Sequence, residues 1–206
     1  TTVSALFAGN GVDGPLVAPG EYRVELAVDG ILADSRPLQV LPDPDAPVSA
    51  SRLAESRAAQ MTLYTLHRTV LEASAALEAV AEAVEELGPA LSGRPRRDAA
   101  VALRDSIDTE VERIRRALGS PGGGGRGRGT IASRAGFLEA QLLRSSLPPT
   151  AWELAAIQEV RADAADAVRR VNDVILQKLP PLARGAGRSV PSIAPVREPD
   201  GLVGRR

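Results

Sequence analysis

Apolar and polar residues alternate strictly over one short stretch of this chain and recur at helical spacing over most of the rest. Tyr22, Val24, Leu26 and Val28 alternate with Glu21, Arg23, Glu25 and Ala27, the period of two of a half-buried strand. Asp29-Gly30 follows at once, a pair that favours a type I′ turn because both central residues must take φ > 0. Leu38 and Val40 resume the alternation, and Pro37 is tolerated there at an edge or where the strand changes partner. The pattern predicts a hairpin over 18–40. Before it, Val3 to Ala8 reads as the end of a strand entering the loop Gly9 to Pro15.

Beyond Pro42, Pro44 and Pro47, a stiff connector over 43–48, the period changes. Ser49 is the expected N-cap of a helix, with Val48 and Leu53 as its hydrophobic staple. Leu63, Val70, Leu77 and Val84 recur every seven residues, and Leu66, Ala73, Val80 and Leu87 do the same with an offset of three. These are the a and d positions of a heptad seam, so a helix over about 50–87 packs lengthwise on a neighbour until Gly88-Pro89 ends it. A second helix is expected over 95–118, carried by Leu103, Ile107, Val111, Ile114 and Leu118. A third, over 131–144, has Ile131, Ala135, Leu138 and Leu142 on one face. Thr150 and Glu153 form a capping box for a fourth over 151–179, with Leu154, Ile157, Arg161, Ala164, Val168, Val171 and Ile175 on its inner stripe and Pro180-Pro181 as its stop. Gly119 to Gly129 reads as a flexible linker, and 183–206, rich in Gly, Pro and Arg, as a disordered tail.

The fold class expected is α+β: a partial sandwich at 1–42, a connector at 43–48 and an antiparallel helical bundle at 49–182. The sandwich follows from Leu16-x-x-Pro19-Gly20-x-Tyr22, which has the form of a tyrosine corner, where a Tyr entering a late strand of an immunoglobulin-like sandwich ties its hydroxyl to upstream backbone. A sandwich of that kind takes about seven strands in ~100 residues. This hairpin comes about twenty residues in, and the chain opens on Thr1-Thr2, so the expectation is a C-terminal piece of something larger with an under-buried hairpin face.

Composition changes the picture in three places. Aromatics make up only 2% and alanine much of the apolar fraction, which suits closely packed helices better than a thick sandwich core. Residues 1–88 hold 5 Arg and 13 Asp/Glu, a charge of −8, and residues 89–206 hold 20 Lys/Arg and 13 Asp/Glu, a charge of +7. Balance within the fold is favoured over an acidic partner for the basic half. Lys178 is the single lysine among 25 basic residues, a codon-bias signature of a high-GC bacterial genome. With no cysteine, disulfides and thiolate metal sites are excluded, and no run of 18 apolar residues offers a membrane span.

No catalytic, cofactor-binding or metal-binding constellation emerges. His67, the only histidine, borders the seam and has no second histidine for a metal site. Glu78, Glu82, Glu85 and Glu86 crowd one helix, whereas the carboxylates of glycoside hydrolysis flank a sugar from separate elements. Gly122 and Gly127 have phosphate-loop spacing, but Arg128-Gly129 replaces the Lys-Ser/Thr pair. Arg94, Arg96, Arg97 and the tail arginines Arg184, Arg188, Arg197, Arg205 and Arg206 lack a nucleic-acid module and have only Phe137 and Trp152 as aromatics nearby in sequence, so no nucleic-acid partner is expected. Arg161, at a seam position, is expected to pair with a glutamate of the first helix or to extend outward, and Trp152 to plug the end of the bundle.

Pro19-Gly20, Tyr22, Val24, Leu26, Val28-Asp29-Gly30, Pro37-Leu38, Val40 and Pro42-Asp43-Pro44, followed by a long helical region, resemble the C-terminal part of bacterial sortilin-like β-propeller proteins, often labelled BNR-repeat glycosyl hydrolases. Residues 147–175 and Lys178 to Leu182 also resemble that family's last helix; Asp45 stands where its pattern has Arg. The resemblance implies a non-catalytic scaffold or interaction region of a larger exported propeller protein, with the upstream propeller of its own chain as partner and an extracytoplasmic location. It also implies that any activity lies upstream and that no cofactor is needed here. Two alternatives stand beside it: an accessory part of a hydrolase-like enzyme, and an independent helical adaptor that binds a partner helix through the heptad seam.

Overall fold

The computed structural model describes residues 17–42, 44, 48–91, 97–119, 129–144 and 147–199. The strand end at 3–8, Leu16 of the tyrosine corner, Arg94, Arg96, most of the Gly-rich linker and the last seven residues of the tail lie outside them.

Two strands, β1 (Gly20–Val28) and β2 (Ile31–Val40), pair antiparallel as a single hairpin. Asp29 and Gly30 take φ of 51° and 78°, the two left-handed residues that a two-residue turn between twisted strands requires. The Tyr22 hydroxyl donates to the Ala18 carbonyl at 2.6 Å, the local contact expected of the tyrosine corner. Cross-strand partners put Tyr22 opposite Leu38 and Val28 opposite Ile31, with a register shift between Leu26 and Ala27. The coarse α+β class holds: a small hairpin followed by a mainly helical body.

That body starts at α1 (Ala50–Leu87), capped by the Ser49 side chain, which accepts from the Arg52 amide. All eight heptad positions of α1 are buried, none more than 4% exposed. Around them lie α2 (Arg97–Leu118), α3 (Ile131–Arg144) and α4 (Ala151–Asp173). Ile107, Val111, Ile114 and Leu118 of α2 reach the core, as do the four residues expected of α3. Gly119 ends α2 at φ +73°, and a Cβ there would stand 2.4 Å from Thr130 Oγ1, so glycine is required both by the backbone and by the approach of the segment that opens α3. At the head of α4 the capping box forms in both directions: the Glu153 amide donates to Thr150 Oγ1 at 3.2 Å, and the Thr150 amide donates to Glu153 Oε2 at 2.7 Å.

Two expectations for the end of the chain are corrected. Pro180-Pro181 does not stop the last helix. A π-helical turn over Val174–Lys178 widens the ladder, the Leu179 amide reaching back to the Val174 carbonyl, and α5 (Leu179–Gly185) continues with the prolines in its first turn. The missing proline N–H groups thus fall where the helix is already opened by one residue. Gly187 at φ +62° then reverses the chain: its amide donates to the Arg184 carbonyl, and that of Arg188 to Ala183. Nor are residues 183–199 a disordered tail. Leu182, Ala183, Ala186 and Val196 are buried in the core, and Ile193 packs on it, so apolar residues scattered without periodicity still anchor the segment. Among the described residues no helix is long and apolar enough to cross a membrane.

Candidate functional site

Two surfaces leave large apolar side chains in water. The first is the hairpin. Arg36 and Asp34, the partners of Val24 and Leu26, fall on the same face as the large apolar residues Val24, Leu26, Val28, Ile31 and Leu38, since paired residues of an antiparallel ladder point the same way. These apolar residues are all exposed, from Leu38 at 49% to Ile31 at 74%. Of the β1 residues only Tyr22, held by its own hydroxyl, is partly buried. The opposite face carries Glu21, Arg23, Glu25, Ser35 and Gln39 with Ala27, Leu32 and Pro37 among them, so the first face is the richer in large apolar side chains, and among the described residues nothing lies over it.

The second is a cleft of about 730 Å³ between α3 and the first half of α4. Ser133, Arg134, Phe137 and Leu138 form one wall; Trp152, Ala155, Ala156, Glu159 and Val160 form the other. The spacing of four and three on each helix aligns these residues along facing sides, and the two alanines keep the floor low. Arg134 ties the walls together through Asp163 and Glu159 of α4. Phe137 and Trp152 stand at the mouth, 58% and 62% exposed. Trp152 is therefore not a core plug. It lies about 100° round the helix from the middle of the buried stripe of Ile157, Val160, Ala164, Ala167, Val168 and Val171.

His67 is buried between α1 and α3, beside Gly136, with Nε2 3.0 Å from Glu139 Oε2 but out of line for a hydrogen bond. The nearest thing to an acid–base pair thus lies between helices and takes no part in lining the α3–α4 cleft. Glu78, Glu82, Glu85 and Glu86 all face solvent. Arg161 does not meet a glutamate of α1; one guanidinium nitrogen is buried without a hydrogen-bond partner. Apart from the His67–Glu139 approach, ion pairs between helices among the described residues lie within the basic half, as with Arg134 above and with Arg170, whose Nε and Nη2 both reach Glu110 Oε1 at 2.7 Å. The expected charge balance between halves is therefore not made by ion pairs between α1 glutamates and the later helices among the described residues. The hydrogen bond from Arg170 holds the Glu110 carboxyl below the ordinary glutamate value; burial opposes it, and the charges of Arg170, Arg113 and Lys178 reinforce it.

Among the described residues no group of three His, Asp or Glu side chains is arranged to hold a metal ion. The arrangement supports contact chemistry, burial of apolar surface rimmed by charge, at both surfaces. Set against models of protein families, curated proteins and solved structures, the chain finds no match in any of the three comparisons.

Proposed function

We propose that this chain is a non-catalytic interaction region: the hairpin is the terminal pair of strands of an immunoglobulin-like sandwich, and the bundle is an appendage joined to it. The observation that carries this reading is the exposure of Val24, Leu26, Val28, Ile31 and Leu38 on one face of the hairpin, beside the Arg36–Asp34 pair. A two-stranded hairpin is marginal alone in water and gains independent stability when further strands or a helix cover its apolar side. The occupant is β structure of the same polypeptide lying outside the described residues. In the sortilin-like proteins that the sequence resembles, it belongs to an exported protein whose propeller precedes this region. Extending the chain with its upstream coding sequence and measuring amide hydrogen exchange tests this: amides of β1 and β2 become at least about a hundredfold better protected. Unchanged hairpin exchange in the longer protein would overturn the reading.

The adaptor reading takes a different form once the seam is considered. The heptad positions of α1 are filled by α2, α3 and α4, so a partner helix has the α3–α4 cleft, with Phe137 and Trp152 as contacts, rather than the seam. Substituting Trp152→Ala in the full chain separates the two readings, because it weakens capture of a cleft partner and leaves hairpin protection untouched.

A further inference from the structure

The segment after α5 is held in the manner of a bound peptide. Residues 189–199 have no regular secondary structure, and among the described residues their backbone bonds to the helices at one residue alone. Asn172 Nδ2 donates to the Val196 carbonyl at 2.9 Å, and Asn172 Oδ1 accepts from the Val196 amide at 2.8 Å. A carboxamide presents one donor and one acceptor side by side, the pair that a strand edge offers, so it recognises extended backbone whatever side chain is attached. The selective contacts lie on either side of that clamp. Val196 is buried, Ile193 packs on the core, and Arg169 Nη1 stands 3.6 Å from Glu198, while Ser192, Ala194, Pro195 and Arg197 are exposed.

We propose that the surface of α4 around Asn172 is a binding site for an extended peptide of the form apolar-x-x-Val-x-acidic, filled in the free protein by the chain's own residues 193–198. Contacts this few make a weak site for a free peptide. Tethering a few residues beyond α5 supplies an effective concentration in the millimolar range, enough to keep the site occupied in cis. A second polypeptide with the same pattern gains access only when the tail is released.

The test uses the full chain carrying Ile193→Ser and Val196→Ser, which vacates the site, and a fluorescein-labelled peptide of residues 189–199 followed by anisotropy. The peptide binds this variant at least about tenfold more tightly than the wild-type chain, and adding Asn172→Ala removes the difference. No binding to the vacated variant, or equal binding to both chains, overturns the proposal. Should the double variant lose its helical circular dichroism, exchange of the Val196 amide in the wild-type chain decides. The proposal requires exchange at least about tenfold faster than at Leu66 and Val70, accelerated further by Asn172→Ala; exchange as slow as those core amides makes the tail part of the cooperative core and overturns it.

Discussion

The hairpin and α1 carry amphipathic patterns of equal clarity, and they meet opposite fates. Every a and d position of α1 is enclosed by other helices, while the alternating face of β1 and β2 remains in water. Pattern alone therefore specifies an element and the side it wants covered, not whether the cover is present. A helix satisfies its backbone within itself and needs only a stripe of neighbours, which α2, α3 and α4 supply. A two-stranded sheet satisfies half its backbone edges and needs a second layer besides.

The contrast can be broken at its strong end first. Leu66→Ala, at a fully enclosed seam position, is expected to cost about 2–5 kcal/mol in urea unfolding, the transfer loss plus a cavity that α1 cannot collapse. Gly119→Ala should cost about 1–3 kcal/mol, since the new methyl meets Thr130 in a left-handed backbone; a loss below about 0.5 kcal/mol would mean the α2–α3 junction relaxes freely.

Acid acts differently on the two regions, because they hold different kinds of ion pair. In the bundle, Arg170 keeps Glu110 ionised below its ordinary value of 4.5, so the folded carboxyl has the lower pKa. Its contribution is complete above that value and is lost as the pH falls below it, toward the depressed folded pKa. Glu110→Gln should then narrow the drop in urea midpoint between about pH 5 and about pH 3 relative to the wild type. In the hairpin, Arg36 and Asp34 pair on one strand in full view of solvent and add little at any pH. The smallest effect belongs to Leu26→Thr, expected within about 0.5 kcal/mol of wild type in this chain, since its side chain is already in water.

Much of the fold was legible. Ser49, the Thr150–Glu153 box, the Asp29-Gly30 turn and the Tyr22 corner are local devices whose partners lie within four residues, and each forms as its spacing requires. The misreadings involve long-range or nonlocal terms. Pro180-Pro181 reads as a stop unless the preceding turn is known to be a π turn. Residues 183–199 lack periodicity, yet one carboxamide twenty-four residues upstream binds the backbone at Val196. Trp152 was the recoverable case: projected on the α4 wheel it falls well off the buried stripe, a signal outweighed by the general preference of tryptophan for cover. The α3–α4 cleft was not foreseeable from either helix alone, because Phe137 and Trp152 line one opening only when α3 and α4 lie side by side, with Arg134 pairing to Asp163 across them.

The helices bury one another's apolar stripes while the hairpin's large apolar side chains stay exposed, so removing the hairpin should leave the bundle's stability unchanged. A chain beginning at Val48 should melt within about 2 °C of the full chain in a calorimetric scan, since for a body of this size each 1 kcal/mol lost moves the midpoint by about 2–4 °C. A fall of more than about 5 °C would mean instead that the exposed face of β1 and β2 already supports the helices.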